Sequence, residues 1–136
     1  MLTPLQRIDT KDAAGNPNGY VVPIWRADSG VAISQVYLTA VTLGHSKGPH
    51  LHRKRHGRFT CISGVADIIL RDPEAKYWVI RLDSAAPTML DVPPGTAAEI
   101  RCGPVGCTAL LLNMPDPAWS AEDPDEWPVE NWNPPC

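Results

Sequence analysis

The sequence lacks the features that would direct a protein to a membrane or to nucleic acid. No apolar run approaches the roughly 20 residues of a membrane-spanning helix, and the first residues contain no hydrophobic segment typical of a signal peptide. The net charge of the 136 residues is only −3, which is too small to favour nucleic-acid binding through bulk electrostatics. We therefore expect a cytoplasmic protein that binds neither membranes nor nucleic acid.

Cysteine is scarce, and its spacing argues against two common uses. The four cysteines, Cys61, Cys102, Cys107 and Cys136, include no CxxC pair. Neither a structural zinc site nor a disulfide framework is therefore expected. We predict free thiols in a reducing compartment.

Helical periodicity is also absent, whereas turn-forming residues are abundant. Fifteen prolines and ten glycines divide the chain into short segments, which is typical of strands joined by turns. The predicted strands are Gly19–Trp25, Val31–Leu43, Arg58–Ile62, Val65–Leu70, Tyr77–Leu82, Thr88–Val92, Thr96–Cys102 and Cys107–Asn113. This series predicts one all-β domain, either a closed barrel or a jelly roll.

The composition changes after Asn113. Residues 115–136 contain six acidic residues, no lysine or arginine, and three of the five tryptophans. Tryptophan favours packed positions, so we expect this segment to pack on its own barrel or on a partner subunit. The chain thus divides into an N-terminal arm (1–30), a barrel (31–113) and a C-terminal segment (114–136).

All four histidines lie in one short stretch, between His45 and His56. Residues two apart in a strand face the same side, so His50 and His52 would point together into the barrel or away from it. Such a pair serves either as two metal ligands or as a general base with a helper.

This histidine segment resembles the first sequence motif of the cupins. Gly44, His50, His52 and Gly64 match four positions of GX5HXHX3-4EX6G, and residues 93–95 resemble the start of the second motif, PXGX2H. The resemblance implies an all-β, cupin-type jelly-roll β-barrel of a single domain. It also implies a homodimer, because cupins of this class usually pair.

Two departures from the cupin motifs bear on metal binding. Gly57, or His56 under the shorter spacing, stands where metal-binding cupins carry glutamate, and Ala98 stands where they carry the second-motif histidine. A catalytic metal normally needs about three protein ligands, so we expect no cofactor. The alternative is one divalent transition metal bound by His50, His52 and His56.

Residues 50–59, HLHRKRHGRF, resemble the pattern HAHKxxHQxF of metal-free nucleotide-sugar cupins. That branch contains dTDP-4-keto-6-deoxyhexose 3,5-epimerases and 3,4-ketoisomerases. The resemblance implies a metal-independent epimerase or ketoisomerase whose small-molecule substrate is a nucleotide-linked 4-keto-deoxy sugar. The alternatives are a metal-dependent dioxygenase or small-molecule isomerase, and a non-catalytic cupin that binds a sugar nucleotide.

The reaction removes a proton beside a carbonyl, and an imidazole is a suitable base at neutral pH. Either His50 or His52 can supply it. Arg58 would stabilise the enolate oxygen if its strand is continuous with the histidines and so faces inward. Tyr77 or Tyr37 would be the acid that returns a proton.

Basic residues crowd around the histidines, and cations of this kind hold diphosphate groups. A solvated turn is the alternative interpretation of residues 53–55. The residues predicted to bind substrate are Lys47, Arg53, His56, Arg101 and Trp119.

Overall fold

The computed structural model describes residues 2–135, which form antiparallel strands without a helix. The strands are β1 (Leu2–Pro4), β2 (Ile8–Lys11), β3 (Pro17–Val21), β4 (Tyr37–Val41), β5 (Ser46–His50), β6 (Gly57–Ser63), β7 (Val65–Arg71), β8 (Tyr77–Asp83), β9 (Thr88–Val92), β10 (Ala97–Arg101) and β11 (Ala109–Asn113). Between residues 2 and 135, no helix has the length and hydrophobicity needed to cross a membrane.

Two larger sheets enclose the core. One has the strand order β1-β9-β6-β11-β4 and the other β5-β10-β7-β8, while β2 and β3 form a separate hairpin. Alternation within each strand directs side chains to the core: on β11, Leu111 is fully buried and its neighbours Leu110 and Leu112 are half-buried. The core cluster consists of Val41, Cys61, Ala66, Ile68, Leu70, Leu82, Leu90, Val92, Ile100, Cys102, Ala109 and Leu111.

Three cysteines carry free thiols, as the sequence predicts. Cys61 and Cys102 are buried in the core, and Cys107 is exposed. Burial raises the pKa of the Cys61 thiol. Cys136, for which a free thiol was also expected, lies outside the described residues.

The turn at Gly64 carries the chain from one sheet to the other. Its φ is +77°, and a Cβ there would lie 3.0 Å from the backbone oxygen of Thr108. Any other residue would therefore strain the backbone and displace its neighbour. Because β6 and β7 belong to different sheets, the compact turn predicted at Ser63–Gly64 forms a corner between the sheets.

Strand limits agree with the sequence prediction in the second half of the chain and differ in the first half. The predicted strand Val31–Leu43 is wrong over its first part, since only Tyr37–Val41 pairs in the sheet. Backbone groups before Tyr37 bind loop partners instead: the N–H of Ser34 donates to the carbonyl oxygen of Pro115 (3.0 Å). Loop contacts of this kind are not encoded in the local alternation of apolar residues.

Strand β5, which ends at His50, was not predicted because it contains Gly48 and Pro49, both poor strand residues. It forms through pairing with β10, in which His50 lies opposite Ala98 and Lys47 opposite Ile100. The register shifts between those two pairs. Gly48 fits this bulge because a Cβ there would lie 2.7 Å from the carbonyl oxygen of Ala98.

The C-terminal segment runs back over the barrel of the same chain. The backbone N–H of Trp127 donates to the carbonyl oxygen of Leu51 (3.0 Å). The indole of Trp132 donates to Oε2 of Glu99 (2.6 Å) on the outer face of β10. This path brings the acidic residues of the segment next to the histidines.

Candidate active site

A cavity of about 210 Å³ opens between the two larger sheets. Its walls combine apolar side chains with a small number of polar and cationic groups, the usual composition of a small-molecule site. The lining residues are Tyr37, Thr39, Lys47, His50, His52, Arg55, Gly57, Phe59, Val92, Pro93, Thr96, Ala98, Ile100, Asn113 and Pro115. The structure thus brings together His50, His52 and Lys47, three residues that the sequence predicts for the site.

The two histidines lie side by side on one wall. Their rings are nearly parallel, 5° apart, with centroids separated by 6.4 Å. Nδ1 of His50 lies 2.6 Å from Oε1 of Glu126, and Nδ1 of His52 lies 2.6 Å from the carbonyl oxygen of Asp125. Both rings therefore use Nδ1 to bind the C-terminal segment.

Lys47 and His50 are three residues apart and yet both line the cavity. In a regular strand this spacing would place them on opposite faces. The bulge at Gly48 adds one residue between them, so that both side chains face inward.

Arg55 is a cation in direct contact with the histidine pair. It is buried, lines the cavity, and its Nη2 lies 3.0 Å from Nδ1 and 3.3 Å from Nε2 of His52. Sequence reasoning placed Arg55 in a basic cluster without singling it out. Nothing in the local pattern distinguishes it from Arg53, whose guanidinium instead stacks on the ring of Trp127 at 3.9 Å.

Tyr37 lies on β4, in the sheet opposite the histidines, and lines the cavity. Its hydroxyl accepts a hydrogen bond from Nδ2 of Asn113 (2.6 Å), which is buried. The amide therefore fixes the position of the phenol oxygen and leaves its proton available for a second partner.

Arg58 and Tyr77, the other residues predicted to be catalytic, lie outside this cavity. Arg58 faces the outer side of the five-stranded sheet, where its Nη1 donates to the carbonyl oxygen of Ala32 (2.9 Å). The expected inward placement is wrong because the strand is interrupted between His50 and Gly57. Tyr77 lies on β8, and its hydroxyl accepts from the backbone N–H of Asn133 (2.8 Å).

Two residues predicted to bind substrate, Arg101 and Trp119, are also placed away from the cavity lining. Arg101 donates two hydrogen bonds to the carboxylate of Glu99 (2.8 and 3.1 Å). Trp119 has an exposed ring, and its backbone N–H donates to Oε1 of Gln35 (3.1 Å). Arg101 lies on β10 with its side chain beside Glu99. Trp119 lies in the C-terminal segment.

The alternative metal site on three histidines is not assembled. Nδ1 of His56 pairs with Oδ1 of Asp91 at 3.0 Å, and His56 is not part of the cavity lining with His50 and His52. Within residues 2–135, no group of three or more histidine, cysteine, aspartate or glutamate side chains has a geometry suited to a metal ion. The residues present therefore do not fit the metal that other cupins hold.

The second-motif position supplies no metal-binding side chain to the cavity. Ala98 lines the cavity where a metal-binding cupin would present histidine. Glu99 faces the opposite side, as strand alternation predicts, and is buried under Trp132. Burial acts to raise the pKa of Glu99, but hydrogen bonds from Arg101 and Trp132 outweigh it and lower the pKa.

Asp125 is the acidic residue most strongly engaged near the site, and sequence reasoning did not single it out. Burial acts to raise the pKa of its carboxyl group. Hydrogen bonds from the backbone N–H groups of residues 53–55 and from the indole of Trp127 outweigh burial and hold that pKa well below its usual range. Asp125 is therefore ionised throughout the neutral range.

Solved structures share this fold. A dTDP sugar isomerase from Desulfovibrio desulfuricans is 19% identical over 85% of this chain and 75% of its own, with a TM-score of 0.74. QdtA, a sugar 3,4-ketoisomerase from Thermoanaerobacterium thermosaccharolyticum solved with TDP, is 22% identical over 90% and 84%, with a TM-score of 0.69. NovW, a 4-keto-6-deoxy sugar epimerase from Streptomyces spheroides, is 13% identical over 89% and 65%, with a TM-score of 0.71.

These likenesses confirm the predicted all-β, cupin-type jelly roll. No curated protein matches the chain. The family model FdtA, described as WxcM-like, C-terminal, matches residues 6–123. Because this match covers most of the 136 residues, the chain belongs to the FdtA (WxcM-like, C-terminal) family.

Proposed function

We propose that this protein is a metal-independent isomerase acting on a nucleotide-linked 4-keto-deoxy sugar. The observation that carries the proposal is the pair of parallel imidazoles on the wall of a cavity that also contains Lys47 and Arg55. Family membership and the activities of the similar structures, a dTDP sugar isomerase, a ketoisomerase and an epimerase, support a sugar-nucleotide substrate.

The cavity offers complementary groups to both parts of such a substrate. Phe59, Val92 and Ile100 contribute apolar surface to the cavity lining, which suits the carbon face of a deoxy sugar. Lys47 and Arg55 supply two cations, and a guanidinium can bind two oxygens of a diphosphate at once.

His50 is the base in this proposal. When it takes a proton from the carbon beside the carbonyl, it becomes an imidazolium next to the carboxylate of Glu126, 2.6 Å away. That ion pair stabilises the charge that develops during the step. His52 instead contacts the cationic Arg55 and a neutral carbonyl group, with the carboxylate of Glu126 farther away at 3.7 Å. These neighbours suit a ring that relays protons without a lasting charge.

In a 3,4-ketoisomerisation, the base removes the proton from C3 and the electron pair forms an enediolate with C4. The proton of the C3 hydroxyl is transferred to the oxygen on C4, C4 receives the proton that C3 lost or one from solvent, and the carbonyl moves from C4 to C3 with no net oxidation. Two imidazoles on the same wall suit this transfer along one face of the sugar.

Epimerisation is the second candidate, and Tyr37 favours it. Epimerisation requires an acid on the face opposite the base, and Tyr37 projects from the opposite sheet into the cavity. The hydrogen bond from Asn113 holds its hydroxyl there.

Solvent deuterium distinguishes the candidates. The protein is mixed with dTDP-4-keto-6-deoxyglucose in D₂O, and the sugar is followed by proton NMR. A ketoisomerase incorporates deuterium at C4 of a 3-keto product, whereas a 3,5-epimerase incorporates it at C3 and C5 of a 4-keto product. Binding without any exchange, for this and other 4-keto sugar nucleotides, would indicate a non-catalytic binding module.

Two further expectations remain predictions. A homodimer is expected from the family resemblance and is tested by sedimentation equilibrium of the untagged protein. A cytoplasmic location is tested by fractionating cells that express the protein at its natural level.

A further inference from the structure

The loop between β5 and β6 contains no strand of its own and is held by the C-terminal segment. Oδ1 of Asp125 accepts a hydrogen bond from the backbone N–H of Arg53 (3.0 Å), and Oδ2 accepts from those of Lys54 and Arg55 (2.9 Å each). A single carboxylate thus satisfies three consecutive backbone donors. It fixes the loop that follows His52 and contains Arg55.

The backbone of Asp125 also fixes the ring of His52. A carbonyl oxygen can only accept a hydrogen bond, and the guanidinium of Arg55, 3.0 Å from Nδ1 of His52, can only donate. The shorter contact, 2.6 Å to the carbonyl oxygen of Asp125, assigns the proton to Nδ1 of His52. The neutral ring then has its lone pair on Nε2. Asp125 adopts a left-handed backbone conformation, with φ of 49°, in which its carboxylate and its carbonyl both contact the same loop.

The next residue fixes the other ring in the same way. A carboxylate only accepts, so Nδ1 of His50 donates to Oε1 of Glu126 at 2.6 Å. Oε2 of the same carboxylate lies 3.7 Å from Nδ1 of His52. Both imidazoles therefore have Nε2 as the unprotonated nitrogen, and two adjacent residues of the C-terminal segment determine this. In His52 this nitrogen also lies 3.3 Å from Nη2 of Arg55.

We infer that Asp125 and Glu126 are positioning residues, which hold His50 and His52 in the Nδ1–H tautomer with Nε2 unprotonated in both rings. The charged groups around this junction are Lys47, Arg53, Lys54, Arg55, Asp123 and Asp125. The catalytic consequence rests on the proposed function, whereas the tautomers can be measured without substrate.

The test uses ¹⁵N-histidine labelling of the full chain. Imidazole ¹⁵N shifts are recorded about two pH units above the usual imidazole pKa of about 6.5, with signals assigned by single histidine replacements. We expect the Nδ1–H form for both rings in the unmodified protein. Glu126→Ala removes the acceptor and shifts His50 toward the Nε2–H form, whereas Glu126→Gln keeps an acceptor oxygen and retains the Nδ1–H form.

Glu122 provides a matched control, because it lies in the same acidic segment and binds only Ser120 among the described contacts. Glu122→Ala and Glu122→Gln should leave both histidine spectra unchanged. An Nε2–H form of His50 in the unmodified protein, or an unchanged His50 spectrum in Glu126→Ala, would overturn the inference.

Asp125 is tested through the loop that it holds. Asp125→Asn replaces one accepting oxygen by an N–H₂ group and should accelerate amide hydrogen exchange at residues 53–55 and add an Nε2–H fraction to His52. Circular dichroism verifies that the variant is folded. Unchanged exchange at these amides in a folded variant would overturn the role of Asp125, and Glu122→Gln, which changes an acid that binds Ser120 and not the loop, is the control.

Activity separates this inference from the proposed function. Glu126→Ala should lower kcat at least about 10-fold with little change in KM, and Glu126→Gln should recover part of the loss. If the unmodified protein exchanges no deuterium into any 4-keto sugar nucleotide while the tautomers are as expected, the proposed function fails and the positioning role stands. If exchange occurs and Glu126→Ala leaves the His50 spectrum unchanged, the positioning role fails alone.

Discussion

The ring of Phe59 lies so close to the α-carbon of Gly57 that a Cβ on Gly57 would be 3.0 Å from Cε2 of the ring. Both residues line the cavity. In the sequence pattern that this segment resembles, a glutamine stands at the position of Gly57. In this protein the ring of Phe59, which the pattern also has, fills the space beside Gly57.

Replacing Gly57 tests how tightly this wall is packed. Gly57→Ala should force Phe59 away from its position and destabilise the protein by about 1–3 kcal/mol, the usual cost of overpacking a core. Thermal and urea unfolding measure the change. Gly103→Ala is the control, because a Cβ at Gly103 has no neighbour within 4 Å; equal stability of the two variants would contradict the packing argument.

Replacing the paired histidines tests their role in proton transfer. His50→Asn and His52→Asn should each slow solvent deuterium incorporation by about 10²- to 10⁴-fold, the range for loss of a general acid or base. Calorimetric titration with dTDP should show that both variants still bind nucleotide. His45→Asn is the control, since His45 is exposed and absent from the cavity lining. Normal exchange in both His50→Asn and His52→Asn would argue against imidazole catalysis.

The two tyrosines considered from the sequence should behave differently. Tyr37→Phe removes a hydroxyl from the cavity and should lower kcat. Tyr77→Phe removes only the acceptor for the backbone N–H of Asn133 and should cost about 0.5–1.5 kcal/mol of stability without a change in kcat. Steady-state kinetics and urea unfolding of both variants check this, and a large fall in kcat for Tyr77→Phe would restore the catalytic role expected from the sequence.

The ionised carboxylate of Asp125 makes the folding stability of the protein depend on pH. Its pKa is lowered in the folded protein, so its contribution is present above the unfolded value of about 4 and is lost progressively as the pH falls below it. At pH 7, Asp125→Asn should be less stable by about 1–3 kcal/mol, because backbone donors lose their acceptor. Urea unfolding from pH 7 down to about pH 3 should show the two proteins converging. A stability difference that does not change with pH would show that the charge of Asp125 makes no contribution.

Much of the fold could be predicted from local sequence. Strands β6 to β11 lie close to their predicted limits, because alternation of apolar residues and turn residues such as Gly64 and Gly95 are local signals. The motif spacing also showed that positions 57 and 98 carry no metal-binding side chain. Both positions line the cavity, one in each of the two larger sheets, so the motif spacing pointed to residues of the candidate site.

The placement of Arg58 could not be predicted from the sequence, because it depended on whether one strand continued from His50. The chain leaves the sheet after His50 and re-enters at Gly57, which resets the alternation and turns Phe59 inward instead of Arg58. Strand β5 itself depends on pairing with β10, since Gly48 and Pro49 give no local strand signal.

The sequence by itself indicated a small all-β cupin fold with a histidine pair in its candidate site, because those features depend on neighbouring residues along the chain. Only the tertiary structure decided which cation joins that pair and which acids orient it. Glu126 is 76 residues from His50 in sequence and 2.6 Å from it in space. Contacts over such a distance arise from the path of the whole chain, and no local pattern of residues encodes them.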